Sequence, residues 1–151
     1  MGWGAAVVGA LGAAQIQQQG AIGKYNQAVN NRNALVAEQE SKQIEKQSEF
    51  DIAQFDKQFT KLEGETEVAL AKSGVVQGTG TAYRIRMQNA VEASLQKNIM
   101  EYNAKVGAAR KMEDANFARI QGTIAKQQAK LAQIGTIAST GTSLLKMKGI
   151  I

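Results

Sequence analysis

The chain of 151 residues contains no cysteine, no proline and no histidine. Without cysteine there is no disulfide framework and no thiolate chemistry. Without cysteine or histidine the common zinc and transition-metal ligand sets are missing. Histidine-dependent acid–base catalysis and catalytic triads are excluded as well. The absence of proline leaves helices free to run long and unbroken. Aromatic residues make up only 5% of the chain, which is thin for a compact globular core. That scarcity suits long helices that bury surface against neighbours.

What is present is helix-compatible. There are 24 alanines and 17 glutamines, both tolerated in helix interiors. The stretch Gly74-Val75-Val76-Gln77-Gly78-Thr79-Gly80-Thr81 interrupts two long polar regions. Glycine reaches positive φ without steric penalty, so Gly74, Gly78 and Gly80 end one helix and build a turn. Lys72 sits in the last helical turn, where a cation meets the negative helix end. Thr81 is the expected N-cap of the next helix. A stop signal followed by a start signal predicts an all-α, elongated helical hairpin.

Residues 1–23 carry no charge. The run Met1 to Ala14 is apolar and built from small side chains. It is too short for a spanning helix, which needs about 20 residues. No basic residue precedes it, which argues against a secretory signal. Gly2 opens a myristoylation-like start, but Ala6 stands where Ser or Thr is wanted. Gly2, Ala6, Ala10 and Ala14 recur every four residues, as do Ala5, Gly9 and Ala13. This small-xxx-small pattern lets helices approach closely, in lipid or in protein. Trp3, Gly9 and Leu11 complete the segment, which reads equally as a membrane element or as a buried packing element.

Residues 24–73 form the first predicted long helix. Ile52, Phe55, Phe59 and Leu62 are spaced 3, 4 and 3 apart, a coiled-coil-like seam assigned here to oligomer formation. Tyr25, Val29 and Val36 begin a similar stripe, and Gly64 marks a point of kinking or fraying. Residues 82–133 form the second predicted helix. Its stripe is Val91, Leu95, Ile99, Tyr102, Val106 and Ala109, renewed by Phe117, Ile120, Ile124 and Leu131. Each arm would measure about 75 Å at 1.5 Å per residue. Residues 134–151 are apolar and small again, with Lys146 and Lys148 near the end. The apolar ends call for burial by oligomerisation, a partner or a membrane.

Charge is uneven. Residues 24–73 carry 7 basic and 9 acidic side chains, net −2, and residues 82–133 carry 9 basic and 4 acidic, net +5. Opposite charge weakly favours pairing of the arms. No residue set points to catalysis, and no cofactor is expected. Glu63, Glu65 and Glu67 alternate along a helix, so they spread around it instead of converging on a metal. Gly78-Thr79-Gly80-Thr81 precedes a helix but lacks the strand and spacing of a nucleotide fingerprint. The basic residues of the second arm are scattered, which supports non-specific DNA contact at most.

The opening Met1-Gly2-Trp3-Gly4-Ala5-Ala6, with Ala10-Leu11 and Ala14-Gln15, resembles the start of the smallest internal virion (ejection) protein of short-tailed phages. Thr81-Ala82-Tyr83-Arg84-Ile85-Arg86 resembles that family's small-residue turn with a hydroxyl three residues before Arg-Ile-basic. The chain departs from the family in being shorter after the second helix and in ending apolar. The resemblance implies a non-enzymatic structural protein, packaged in the capsid near the portal with larger core proteins. It implies ejection through the tail at infection and an oligomeric, ring-forming channel in the host outer membrane and periplasm. Two other classes stay open. One is a helical-hairpin scaffold or adaptor like the small secreted WXG-type proteins, although Trp3-Gly4 lie at the terminus and not at the turn. The other is a nucleic-acid-packaging protein, suggested by the pI of about 9.5.

Overall fold

The computed structural model describes residues 2–76 and 78–147, with the side chains of residues 2–5 and of Met147 left aside. Two helices account for nearly all of it. α1 runs Gly2–Lys72 and α2 runs Gly80–Met147, and the two pack against each other as a hairpin. The fold is all-α. No break occurs where composition changes near residues 23 and 133, nor at Gly64. Apolar, small and polar runs alike lack proline and remain helix-compatible, so a shift in hydropathy does not end a helix.

The turn is set by glycine. Gly74, Gly78 and Gly80 have φ of 75, 94 and 65°. The amide of Val75 donates to Leu70 O at 3.3 Å and that of Gly74 to Ala71 O at 3.2 Å. This pair of bonds is a Schellman closure with Gly74 at the left-handed position. At the far side Gly80 takes the positive φ, and α2 starts there, so Thr81 falls inside the first turn instead of capping it.

Contacts divide the chain into two units. The turn unit is Glu38–Met112, and the terminal unit joins Met1–Ala37 to Glu113–Ile151. In both, the fully buried residues are small. Among the described residues the buried apolar ones are Ala34, Ala82, Ala93, Ala108 and Ala115, and the buried polar one is Ser41. Gly12, Gly23 and Gly122 are buried too. No large side chain is fully buried among the described residues.

The inward line recurs every eleven residues. Gly12, Gly23 and Ala34 follow this step on α1, and Ala82, Ala93, Ala104 and Ala115 follow it on α2. Eleven residues make close to three turns at 3.6 residues per turn, so the line stays on one face. A four-residue step drifts by about 40° each time. Accordingly Ala6, Ala10 and Ala14, chosen for their spacing of four, are exposed, and Gly9 is half-buried with open space beside it.

Backbones come close where the line is glycine. A Cβ on Gly23 would collide with Ala129 Cβ, and one on Gly12 would lie 2.6 Å from Thr140 Oγ1. Facing numbers add to 152 at both contacts, so the antiparallel register holds through the terminal unit. Polar side chains exploit the proximity. Gln133 Nε2 donates to Ile16 O at 2.7 Å, and Ser41 Oγ donates to Ala108 O at 2.9 Å within the turn unit.

The turn unit adds charge. Its α1 portion carries 9 acidic and 5 basic residues, net −4, and its α2 portion 6 basic and 2 acidic, net +4. Ion pairs cross between them, among them Arg86–Glu67 at 3.6 Å, Lys97–Asp56 at 2.7 Å and Lys111–Glu40 at 2.6 Å. All are partly exposed, so each contributes at most about 1 kcal/mol. They match acidic α1 to basic α2.

Candidate interaction surfaces

The surfaces available for contact lie on the outside. Large apolar side chains that would normally form a core point outward here. Val91, Leu95, Ile99 and Tyr102 are 64, 59, 52 and 68% exposed. Val91 and Leu95 lie two residues either side of buried Ala93, about 160° around the helix from it. The stripe therefore faces directly away from α1. In the terminal unit, Phe117, Ile120, Ile124 and Leu131 are exposed on α2. On α1 of that unit Leu11, Ile22, Tyr25 and Val29 are exposed.

The residues assigned to an oligomer seam divide. Ile52, Phe55 and Phe59 are half-buried, and the rings of Phe55 and Phe59 stack with centroids 6.5 Å apart. Leu62 is 54% exposed. Lys97 reaches Asp56 between the two phenylalanines, so this face is turned toward α2 of the same chain. The side chain of Trp3 lies outside the described residues, while Leu11 is 65% exposed.

Charge separates by unit. The terminal unit holds 7 basic and 2 acidic residues, net +5, and the turn unit 11 of each, net zero. In the terminal unit Lys24, Lys126 and Lys130 gather along a groove of about 520 Å³ floored by Gly20 and Gly23. No acidic side chain lines it. Glycine lowers the floor and the two helices supply the lysines, so a phosphate-bearing surface could approach all three ammonium groups. Sequence reading passed over this cluster because Lys24 and Lys126 are 102 positions apart. The register that brings Gly23 onto Ala129 is what unites them.

The turn unit has a more open groove of about 700 Å³ beside Glu40, Ile44, Asp51, Met100 and Lys111. Its charged groups are already engaged. Glu40 pairs with Lys111, and Asp51 accepts from Gln47 Nε2 at 2.9 Å. On α2, Lys105 donates to Glu101 and lies 2.7 Å away. That hydrogen bond holds the Glu101 carboxyl below its ordinary range and the Lys105 ammonium above its own.

Among the described residues no three acidic side chains converge on a metal-sized site. Nor is any described helix long and apolar enough to cross a membrane. The arrangement suits contact chemistry, through outward apolar stripes and one basic groove. Comparison with family models, with curated proteins and with solved structures gives no match.

Proposed function

We propose that this chain is a structural internal virion protein of a short-tailed phage. After ejection at infection it forms part of a channel through the host outer membrane and periplasm for genome delivery. The observation that carries the assembly part is the reversal of side-chain size across the hairpin. The fully buried residues between the helices are alanine, glycine and serine, while Val91, Leu95, Ile99, Tyr102, Phe117 and Ile120 face outward. Exposed apolar surface of this extent marks an interface still to be covered. The phage assignment rests on the resemblance of residues 1–15 and 81–86.

In this reading the chain works as a homo-oligomer beside the core proteins and portal. It then contacts the host membrane through its terminal unit, whose net +5 charge favours anionic headgroups. Several copies act together, because one apolar run of fourteen residues is short for a span. The test is dye leakage from vesicles containing anionic lipid, with electron microscopy of the same samples. Placing Asp at Ala6 and Ala10 should abolish leakage, since a charge in the bilayer costs at least ~2.5 kcal/mol. Circular dichroism should remain helical. Leakage equal to the parent's would remove the N-terminus from the channel role.

A second reading, contact with the nucleic-acid backbone, is favoured by the Lys24–Lys126–Lys130 groove. It predicts DNA binding that weakens steeply with salt and ignores sequence. Rods without membrane activity would instead favour a scaffold.

A further inference from the structure

We infer that the outward stripe of α2 in the turn unit is the contact for a second copy of this chain, laid antiparallel across a two-fold axis. This rests on the assembly reading only in that the chain self-associates, and it names the surface and the symmetry. The stripe is self-complementary. From Val91 through Leu95, Ile99, Tyr102 and Val106 to Arg110 the steps are 4, 4, 3, 4 and 4, the same from either end. Reversing the helix about the point between Met100 and Glu101 exchanges Leu95 with Val106 and Ile99 with Tyr102. It also exchanges Val91 with Arg110. An isologous interface requires this property, because each residue meets its exchange partner on the other copy.

Charge selects the antiparallel arrangement. Glu92 and Arg110 are eighteen residues apart, about five turns, so they share one flank of the stripe. Side chains on the same flank meet across an antiparallel helix pair. Glu92 of each copy then faces Arg110 of the other, giving two ion pairs per dimer. Neither residue makes an ion pair within the chain among the described residues. The long Arg110 stem lets its guanidinium reach Glu92 of the other copy along that flank. Of the five apolar side chains, Val91, Leu95, Ile99 and Tyr102 are each more than half exposed in the single chain and Val106 is half-buried, so the contact buries surface that the hairpin leaves in water.

The test uses the full chain, whose lack of cysteine gives a clean background. Leu95→Cys and Val106→Cys chains are mixed and mildly oxidised. The expected product is the mixed 95–106 disulfide, in excess over 95–95 or 106–106 links. Like positions lie eleven residues out of register, about 16 Å. Separately, Glu92→Arg and Arg110→Glu should each weaken dimerisation about tenfold by analytical ultracentrifugation. The double reversal should return it to within about threefold of the parent. Both sites are exposed, so circular dichroism should be unchanged. A parent that stays monomeric at tens of micromolar would overturn the proposal. So would preferential 95–95 and 106–106 links, the mark of a parallel pair, or a double reversal no better than the singles. Vesicle leakage that persists in a dimer-deficient variant would separate this failure from failure of the membrane role.

Discussion

Replacing Gly23 with alanine tests whether the two helices meet through their small side chains. In a helix the change should stabilise by about 1 kcal/mol, because alanine loses less backbone freedom than glycine. Here the added methyl would land on Ala129 Cβ, with Ala125 O and Ala129 Cα at 3.8 Å behind it. Both neighbours belong to α2 backbone or to its shortest side chain, so no rotamer change clears the space. Overpacking of this kind costs roughly 1–3 kcal/mol. The net expectation is a loss between about zero and 2 kcal/mol. Gly135→Ala is the matched control, in the same unit, exposed, with nothing within 4 Å of the added methyl. It should gain about 1 kcal/mol. Urea unfolding followed by circular dichroism reads both. The third variant is the swap Gly23→Ala with Ala129→Gly, which moves the methyl across the interface. Its propensity terms cancel, so it should return close to the parent. If Gly23→Ala stabilises as much as Gly135→Ala, the close approach is refuted, and with it the small-residue core.

Two further outcomes are expected. Gly74→Val forces a β-branched residue to φ of 75°, which should cost ~1–3 kcal/mol and lower the urea midpoint; an unchanged midpoint would mean the turn closes without that conformation. Changing Lys24, Lys126 and Lys130 together to Glu should lower binding to anionic vesicles at least tenfold, at about 1 kcal/mol per lysine near such a surface, and leave neutral vesicles unaffected. Equal loss on both vesicle types would assign the contact to apolar side chains alone.

Much of the fold was legible. The glycines at 74, 78 and 80 announce the turn, and the lack of proline announces the long helices. The packing face was not legible, for a physical reason. Hydropathy periodicity finds Val91, Leu95, Ile99 and Tyr102 readily, and by convention such a stripe faces the partner helix. Here that place is held by Ala82, Ala93, Ala104 and Ala115, whose single methyls give almost no hydropathy contrast. Their signal is the eleven-residue recurrence, visible only when small residues are tracked for themselves. Phe55 and Phe59 were found as a seam, but the sequence does not say whether a seam closes within a chain or between chains. The lysine groove needed the register as well as the residues.

The antiparallel register also sets an order of assembly for the chain itself. Glu67 meets Arg86 across 19 positions, Ser41 meets Ala108 across 67, and Ile16 meets Gln133 across 117. Once the pair nearest the turn has formed, each next pair closes little additional loop, so the hairpin zips outward from Gly74. Opening runs the other way and starts at the chain ends. Glycine and alanine hold those ends, with little apolar area to resist separation. The faces bearing Gly12 and Gly23 can therefore come apart, and be offered to a new neighbour, while the pairs around the turn stay closed.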